Sequence, residues 1–226
     1  MNTWTHTMPR RAFLKTVGLG AAAWMVPGAF AEMLTPTPRQ TAGPFYPDRL
    51  PLDTDNDLLI IRDSTTPAVG QVTHVSGRVL SVTGEPIRNA LVEIWQADNN
   101  GVYLHTASPG GERRDRHFQG YGRFETDSTG AYRFRTIKPV PYAQGAFQRT
   151  PHIHFAVHAK GQGPFTTQCY VRGHPLNARD SVLRAITNIQ ARDAVLVDFV
   201  PDPASAAGEL TARFDIVLGR EPVVRS

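Results

Sequence analysis

The sequence predicts an all-β protein that forms a single antiparallel β-sandwich with long loops and one short helix. Short segments rich in β-branched and aromatic residues recur between residues 71 and 218, and such segments are typical of strands. Turn signals containing Gly, Asn, Asp or Pro separate them. Helical spacing of apolar residues occurs in one place, from Asp180 to about Ala191. Many short strands with a single helix favour a β-sandwich.

Each predicted element follows from its local residue pattern. In residues 90–97 the side chains alternate between the two faces of an extended chain. An Asp-Ser-Thr-Gly turn at 127–130 predicts a hairpin between the strands on either side of it. The polar, glycine-containing stretch 105–120 predicts a long functional loop. The predicted strands are residues 75–82, 90–97, 122–126, 131–137, 152–158, 166–171 and 213–218.

The first 31 residues have the pattern of an export signal. Arg10 and Arg11 form a twin-arginine pair, an apolar run follows over residues 17–30, and Ala29-Phe30-Ala31 is a small-residue cleavage signal. The apolar run is short for a membrane span and is interrupted by glycines and a proline. We therefore expect a cleaved twin-arginine signal over residues 1–31, a periplasmic or exported protein, and no stable membrane insertion after cleavage. An uncleaved membrane anchor is the alternative.

The remaining chain is long enough for one domain with a substantial core. Residues 32–70 are rich in Pro, Thr and Asp without periodicity, so we expect an extended arm with 53–61 laid across the body. Residues 71–226 then form the sandwich domain. Removal of the signal lowers the net charge from +4 to +1, and no basic run indicates nucleic-acid binding. Cys169 is the only cysteine, so no internal disulfide contributes to stability.

Four residues with metal-binding side chains lie among these strands and turns: Tyr103, Tyr142, His152 and His154. On a strand, residues two apart point to the same face, so His152 and His154 project together. Imidazole suits iron, zinc or copper, so the histidines do not choose the metal. A free phenol has a pKa of about 10, and ionising one at pH 7 costs roughly 4 kcal/mol. Two phenolates therefore require a strongly charged cation, and ferric iron fits this ligand mixture best if the four residues meet.

Each of the four residues also has a simpler interpretation when it is considered alone. His152 and His154 are also consistent with a hydrogen-bonded pair in the core or on the surface. Tyr103 follows an Asn-Asn-Gly turn, where an amphipathic aromatic residue often marks a sheet edge. Tyr142 follows two prolines in a loop that would hold a structural tyrosine equally well.

Two further polar residues are candidates for the surroundings of such a site. Arg149 would stabilise negative charge on a metal-bound aromatic anion, or it forms a surface salt bridge. Gln168 would hydrogen-bond a ligand or the substrate, or it is a satisfied buried amide. Cys169 is expected to be a small buried apolar residue. No partner can be assigned to His105, His117, His158 and His174, of which the first two are expected nearest a pocket.

Seven motifs in a fixed order carry a resemblance to a known family. They are residues 40–47, 92–97, 101–103, 134–139, 141–142, 149–155 and 214–218. These segments resemble the intradiol ring-cleaving dioxygenases, in particular the iron-bearing (beta) subunits of the branch that acts on protocatechuate. The resemblance extends over residues 37–218, which is nearly all of the chain after the signal.

The resemblance implies a ligand set and an activity. It implies that Tyr103 stays on a non-haem Fe³⁺ ion, that Tyr142 leaves it when substrate binds, and that His152 and His154 are permanent ligands. Arg149 and Gln168 match positions that contact the substrate. The implied reaction cleaves a catechol, with protocatechuate as the expected substrate, between its hydroxyl-bearing carbons with O₂ to a muconate-type diacid. The implied assembly is an oligomer of this chain alone or with a related subunit.

The chain also departs from the pattern of this family. The segment from Tyr142 to Arg149 is shorter than in protocatechuate enzymes, Gln144 occupies a position that is usually aromatic, and Thr150-Pro151 replaces Pro-Ala. These differences leave the four ligands unchanged and concern the substrate pocket. A non-catalytic β-sandwich binding domain and a zinc hydrolase on the same fold are the alternative functions.

Overall fold

The computed structural model describes residues 33–219 except residues 52, 63 and 146. These residues form two five-stranded sheets and a separate two-stranded hairpin, so the predicted β-sandwich is confirmed. The strands are β1 (Val72–Ser81), β2 (Leu91–Trp95), β3 (Tyr121–Glu125), β4 (Ala131–Ile137), β5 (Tyr142–Gln144), β6 (Phe147–Arg149), β7 (His152–His158), β8 (Phe165–Val171), β9 (Leu196–Val197), β10 (Phe199–Pro201), β11 (Leu210–Arg213) and β12 (Ile216–Leu218). The predicted bounds of β4 and β7 agree with the structure.

The first sheet is built around β1 and is mixed rather than purely antiparallel. Strand β4 pairs antiparallel with β1, whereas β11 and β12 pair parallel with it. The single strand predicted over 213–218 is wrong, because the chain is divided there between β11 and β12. Phe214 N donates to Ser76 O at 2.8 Å, and the Asp215 carboxylate accepts from Arg78 N at 2.8 Å. These bonds end one parallel ladder and begin the next.

The second sheet has the strand order β3-β2-β7-β8-β9, with β7 at its centre. The predicted hairpin between β3 and β4 is wrong, because β3 pairs with β2 and β4 pairs with β1 in the other sheet. The turn itself forms, since Asp127 Oδ1 accepts from the backbone N–H groups of Thr129 at 2.7 Å and Ala131 at 3.0 Å. It therefore joins the two sheets instead of two neighbouring strands.

The predicted helix from Asp180 to Ala191 is divided into two short helices. Helix α1 covers Ser181–Arg184 and helix α2 covers Ile189–Asp193. The division occurs because Asn188 is extended, with φ −71° and ψ 123°, and its side chain caps a new helix by accepting from Ala191 N at 2.9 Å. Two 3₁₀ turns cover Gly111–Arg113 and Pro175–Ala178. Within the described ranges no helix is both long and apolar enough to span a membrane.

Alternation along β7 separates the main core from the functional face. Ile153, Phe155 and Val157 point between the two sheets and belong to the main hydrophobic core. His152 and His154 point to the opposite face of the same strand and are also buried, with exposures of 2% and 1%. A second cluster of aromatic residues, which includes Trp95, covers this opposite face.

The described residues between 33 and 70 run over the sandwich and form no named strand or helix. Their backbone makes separate hydrogen bonds to both sheets, from Gln40 N to Thr166 O and from Leu58 N to Arg135 O, each 2.8 Å long. Leu58 and Leu59 are buried in the main core. The export signal predicted over residues 1–31 lies outside the described residues.

Candidate metal centre

The structure brings the four predicted ligands together on the outer face of the second sheet. The Nε2 atoms of His152 and His154 are 3.1 Å apart, and Tyr103 Oη lies 3.5 Å from His152 Nε2. The ring of Tyr142 packs edge-on against Tyr103 with centroids 4.9 Å apart, and its centroid is 5.5 Å from that of His152. All four side chains are buried. The interpretation of His152 and His154 as a surface pair is therefore wrong.

Local structure explains how the two tyrosines reach this point. Tyr103 follows a turn in which Asp98 Oδ1 accepts from Asn100 N at 2.8 Å and Val102 N at 3.0 Å. Tyr103 N then donates to Ser108 Oγ at 2.9 Å, at the start of the long loop. Tyr142 opens the hairpin of β5 and β6, where it pairs with Arg149. The strand pairing thus places Tyr142 close to the chain that leads to His152.

The two histidine rings are held in different ways. His152 Nδ1 donates to Thr150 O at 2.7 Å, so its Nε2 carries the lone pair that faces the centre. His154 Nδ1 has no hydrogen-bond partner among the described residues. Its ring instead stacks on Trp95, with centroids 4.8 Å apart and planes 6° apart. Gly43 also lies close to this ring, since a Cβ at position 43 would be 3.5 Å from His154 Cε1.

Burial keeps all four side chains neutral at pH 7 in the absence of a cation. Burial, together with the positive charge of Arg149, lowers the pKa of His152 to about 3. Burial and the neighbouring His152 lower the pKa of His154 well below its usual value. Burial raises the pKa of Tyr103 well above its usual value, and it also raises the pKa of Tyr142, although Arg149 opposes that rise. The phenols therefore ionise only if a cation compensates the cost.

The donor atoms fit a metal ion of high charge. Two ligand atoms each roughly 2.1 Å from one metal and at a right angle to each other are about 3.0 Å apart, and the two Nε2 atoms are 3.1 Å apart. Among the described residues no group of three or more His, Cys, Asp or Glu side chains could hold a metal. The phenol oxygens of Tyr103 and Tyr142 are therefore the candidate ligands that would join His152 and His154. Two imidazoles and two phenols suit ferric iron.

Arg149 and Gln168 lie beside this centre, and neither is at the surface. The Arg149 guanidinium donates from Nη1 to Tyr142 Oη at 3.4 Å and from Nη2 to Gln168 Oε1 at 2.8 Å. Gln168 Oε1 also accepts from the Tyr170 hydroxyl at 2.9 Å, and Gln168 Nε2 donates to Thr41 O at 2.9 Å. The interpretation of Arg149 as part of a surface salt bridge is therefore wrong, because the residue is buried. Gln168 is a buried amide with several hydrogen bonds, and one hydrogen of its amide group is still available to a ligand.

Sequence reasoning missed several residues that build the site. Phe45 stacks on Tyr103 with centroids 5.3 Å apart, and Gln40 Oε1 accepts from Gln168 N at 3.1 Å. Both belong to the 40–47 motif, so the resemblance was a usable signal for them although no role was assigned. Asp180 is buried against Arg149. Its capping position was readable from the sequence, but its contact with Arg149 was not.

The other histidines have separate environments. His105 packs edge-on against Phe45, with centroids 5.9 Å apart. Phe45 in turn stacks on Tyr103, so a single side chain links His105 to this candidate ligand. His158 Nε2 lies 2.8 Å from Glu93 Oε2, and His174 Nδ1 accepts from Leu176 N at 3.3 Å. His117 is exposed.

Comparison with known proteins identifies relatives of this chain. The family model described as Dioxygenase matches residues 41–220. The protocatechuate 3,4-dioxygenase beta chain of Burkholderia cepacia is 39% identical over 172 residues, which cover 74% of this chain and 73% of that protein. Catechol 1,2-dioxygenase 2 of Acinetobacter lwoffii is 32% identical over 179 residues, which cover 70% of this chain and 62% of that protein.

A solved structure shows the same architecture. The dioxygenase domain of a dioxygenase carbohydrate-binding fusion from Streptomyces sp. SirexAA-E aligns with a TM-score of 0.60 and 29% identity, covering 83% of this chain and all of that domain. The chain therefore belongs to the intradiol ring-cleaving dioxygenases, an enzyme family that uses non-haem iron. The predicted family is confirmed.

Proposed function

We propose that this chain is a ferric, non-haem intradiol dioxygenase that opens the ring of a catechol-type substrate with O₂, with Tyr103, Tyr142, His152 and His154 as the iron ligands. The observation that carries the proposal is the convergence of two phenols and two neutral imidazoles. Among the described residues no acidic side chain completes a metal cluster with the two histidines. Membership of the family supports the same reaction class. In this reaction both atoms of O₂ enter the product, and the bond between the two hydroxyl-bearing carbons breaks.

The chain's own residues have definite tasks in this reaction. Bound ferric iron supplies Lewis acidity and a template for the catecholate and O₂. Tyr142 would help to hold the iron, and its Oη would accept a catechol proton. The Arg149 Nη1 donor, 3.4 Å from this oxygen, would stabilise the oxygen while it is charged. The same guanidinium stabilises negative charge that develops on the ring. Thr150 O keeps the His152 ring oriented through the 2.7 Å bond to Nδ1.

Protocatechuate is the substrate that we propose first, because the Burkholderia cepacia relative bears that name. The test is an oxygen-electrode screen of the purified, iron-loaded protein with protocatechuate, catechol, hydroxyquinol and chlorinated catechols. We expect iron by elemental analysis, a red-brown tyrosinate-to-iron absorption band, uptake of equimolar O₂ and a muconate-type diacid. A colourless protein that contains zinc and consumes no O₂ with any catechol would refute the proposal and favour a hydrolase or a binding domain.

Two further proposals concern the setting of the enzyme. From the twin-arginine pattern we propose export to the periplasm, which predicts that replacing both Arg10 and Arg11 with Lys retains the protein in the cytoplasm. We also propose an oligomer, either of this chain alone or with a related subunit, since the Burkholderia cepacia relative is named as a beta chain. The molar mass of the purified chain, measured by light scattering, tests whether this chain forms an oligomer by itself.

A further inference from the structure

Asp180 is a buried carboxylate beside the candidate metal centre to which the family resemblance assigns no role. The whole residue is 1% exposed, and its side chain is fully buried. Oδ1 accepts from the backbone N–H groups of Val182 at 3.1 Å and Leu183 at 3.0 Å, and so caps helix α1. Oδ2 accepts from Arg149 Nε at 2.7 Å and from Thr150 N at 3.1 Å. The two oxygens therefore do separate tasks, one for the helix and one for the site.

The bond to Arg149 determines where the guanidinium points. A guanidinium is planar, so its orientation is settled once two of its nitrogens are held. Asp180 holds Nε at 2.7 Å and Gln168 Oε1 holds Nη2 at 2.8 Å. The remaining nitrogen, Nη1, then lies 3.4 Å from Tyr142 Oη, on the side of the candidate ligands. A free Arg149 side chain would have many rotamers, and only a few of them direct a donor toward that oxygen.

The negative charge of Asp180 is not needed for capping. Asn188 caps helix α2 with an uncharged amide oxygen, which accepts from Ala191 N at 2.9 Å. Asn and Asp are about equally good at this position of a helix. A charge is needed instead to compensate Arg149, which is only 5% exposed, because an unpaired buried cation is strongly unfavourable. The choice of a carboxylate at position 180 therefore serves Arg149.

We propose that Asp180 is a positioning residue for the ring-cleavage reaction, which holds Arg149 Nη1 toward Tyr142 Oη and the substrate. Asp180 acts through Arg149 and does not touch the substrate. This inference rests on the proposed dioxygenase function. Replacing Asp180 with Asn separates its two tasks: an amide oxygen still caps helix α1, but the amide nitrogen cannot accept from Arg149 Nε or Thr150 N.

The Asp180→Asn variant of the iron-loaded enzyme is expected to bind iron and to show the tyrosinate-to-iron band with a shifted maximum, because the donor to Tyr142 Oη moves. Its kcat for the best catechol of the screen falls by about 10- to 100-fold with little change in KM, which is the usual effect of losing a partner that orients a site residue. The matched control is Asn188→Ala, which removes the cap of helix α2. Its Tm falls, but its kcat and its absorption band stay at the wild-type values.

A double-mutant cycle tests the route through Arg149. Adding Asp180→Asn to an Arg149→Ala variant is expected to change kcat by less than about 3-fold, because nothing remains for the carboxylate to position. If Asp180→Asn does not fold, the Asp180→Glu variant tests the proposal instead. It keeps the negative charge but displaces the carboxylate by one methylene group. This variant is expected to fold and to have a lower kcat than the wild type.

Three outcomes overturn the proposal: wild-type kcat and absorption in folded Asp180→Asn, wild-type kcat in Asp180→Glu, or a full additional loss in the double mutant. A wild-type enzyme that consumes no O₂ with any catechol would instead overturn the proposed function, so the two failures are distinguishable.

Discussion

The ionisation of two buried phenols predicts how the affinity for ferric iron depends on pH. Burial raises the pKa of Tyr142 above its usual value, although Arg149 opposes the rise, so this phenol is protonated at pH 7 in the metal-free protein. Ionising even an unperturbed phenol at pH 7 costs about 4 kcal/mol. In the proposed site iron binding would release this proton, so each phenol is expected to make the apparent affinity rise about tenfold per pH unit. Replacing Tyr142 with Phe removes one proton from the reaction and keeps the ring.

The histidines do not obscure this effect. Burial and the charge of Arg149 lower the pKa of His152 to about 3, and burial lowers the pKa of His154 well below its usual value. Both rings are therefore already neutral between about pH 5.5 and 7.5, and binding releases no proton from them. Over this range the slope of log K against pH for the wild-type protein is expected to exceed that of Tyr142→Phe by about one.

The assay is competition for ferric iron with one chelator at several pH values, for both proteins under identical conditions. Protonation of the chelator and hydrolysis of the iron are then the same for both proteins and cancel in the difference between the slopes. The control is Tyr170→Phe, a buried tyrosine whose hydroxyl is engaged with Gln40 and Gln168 and not with the histidines. Parallel lines for wild type and Tyr142→Phe would show that Tyr142 does not bind iron as a phenolate.

The remaining predictions use shorter experiments. His154→Ala is expected to lose iron and visible absorbance, and a variant that keeps both would remove His154 from the ligand set. Arg149→Ala is expected to keep iron but to slow turnover about 100-fold in steady-state assays, and unchanged turnover would leave Arg149 without a catalytic role. Gly77→Ala is expected to lower the free energy of unfolding, measured by urea denaturation, by at least about 2 kcal/mol, because the new Cβ would lie 1.8 Å from Phe214 O. The control is Gly163→Ala, whose Cβ would meet nothing within 4 Å.

Local patterns predicted local structure well. The bounds of β4 and β7 could be read from the sequence, because alternation and turn residues act over a few neighbouring positions. The same alternation placed His152 and His154 on one face, and the structure confirms that placement. The hairpin predicted across residues 127–130 was wrong for the same reason, since a turn signal determines a bend but not the strand with which each arm pairs.

The candidate site was predictable only in part. The proposed type of metal came from chemistry, because the ionisation of two phenols would require a highly charged cation whatever the fold. The candidate ligands themselves were found from residue type and family resemblance. The role of residues 40–47 was not predicted. Phe45 contacts Tyr103, and Gln40 contacts Gln168, only because the folded chain brings this segment to the second sheet.

The sequence by itself therefore determined the kind of fold, the family and the residue types able to bind a metal. The tertiary structure alone decided that Tyr103 would lie 3.5 Å from His152, that His154 would be held by Trp95, and that Arg149 would be paired with Asp180. The physical reason is the distance along the chain over which each interaction acts. Strand alternation and helix capping depend on neighbours in the chain, whereas a buried ion pair or a converging ligand set depends on which distant strands pair and on what is excluded from water between them.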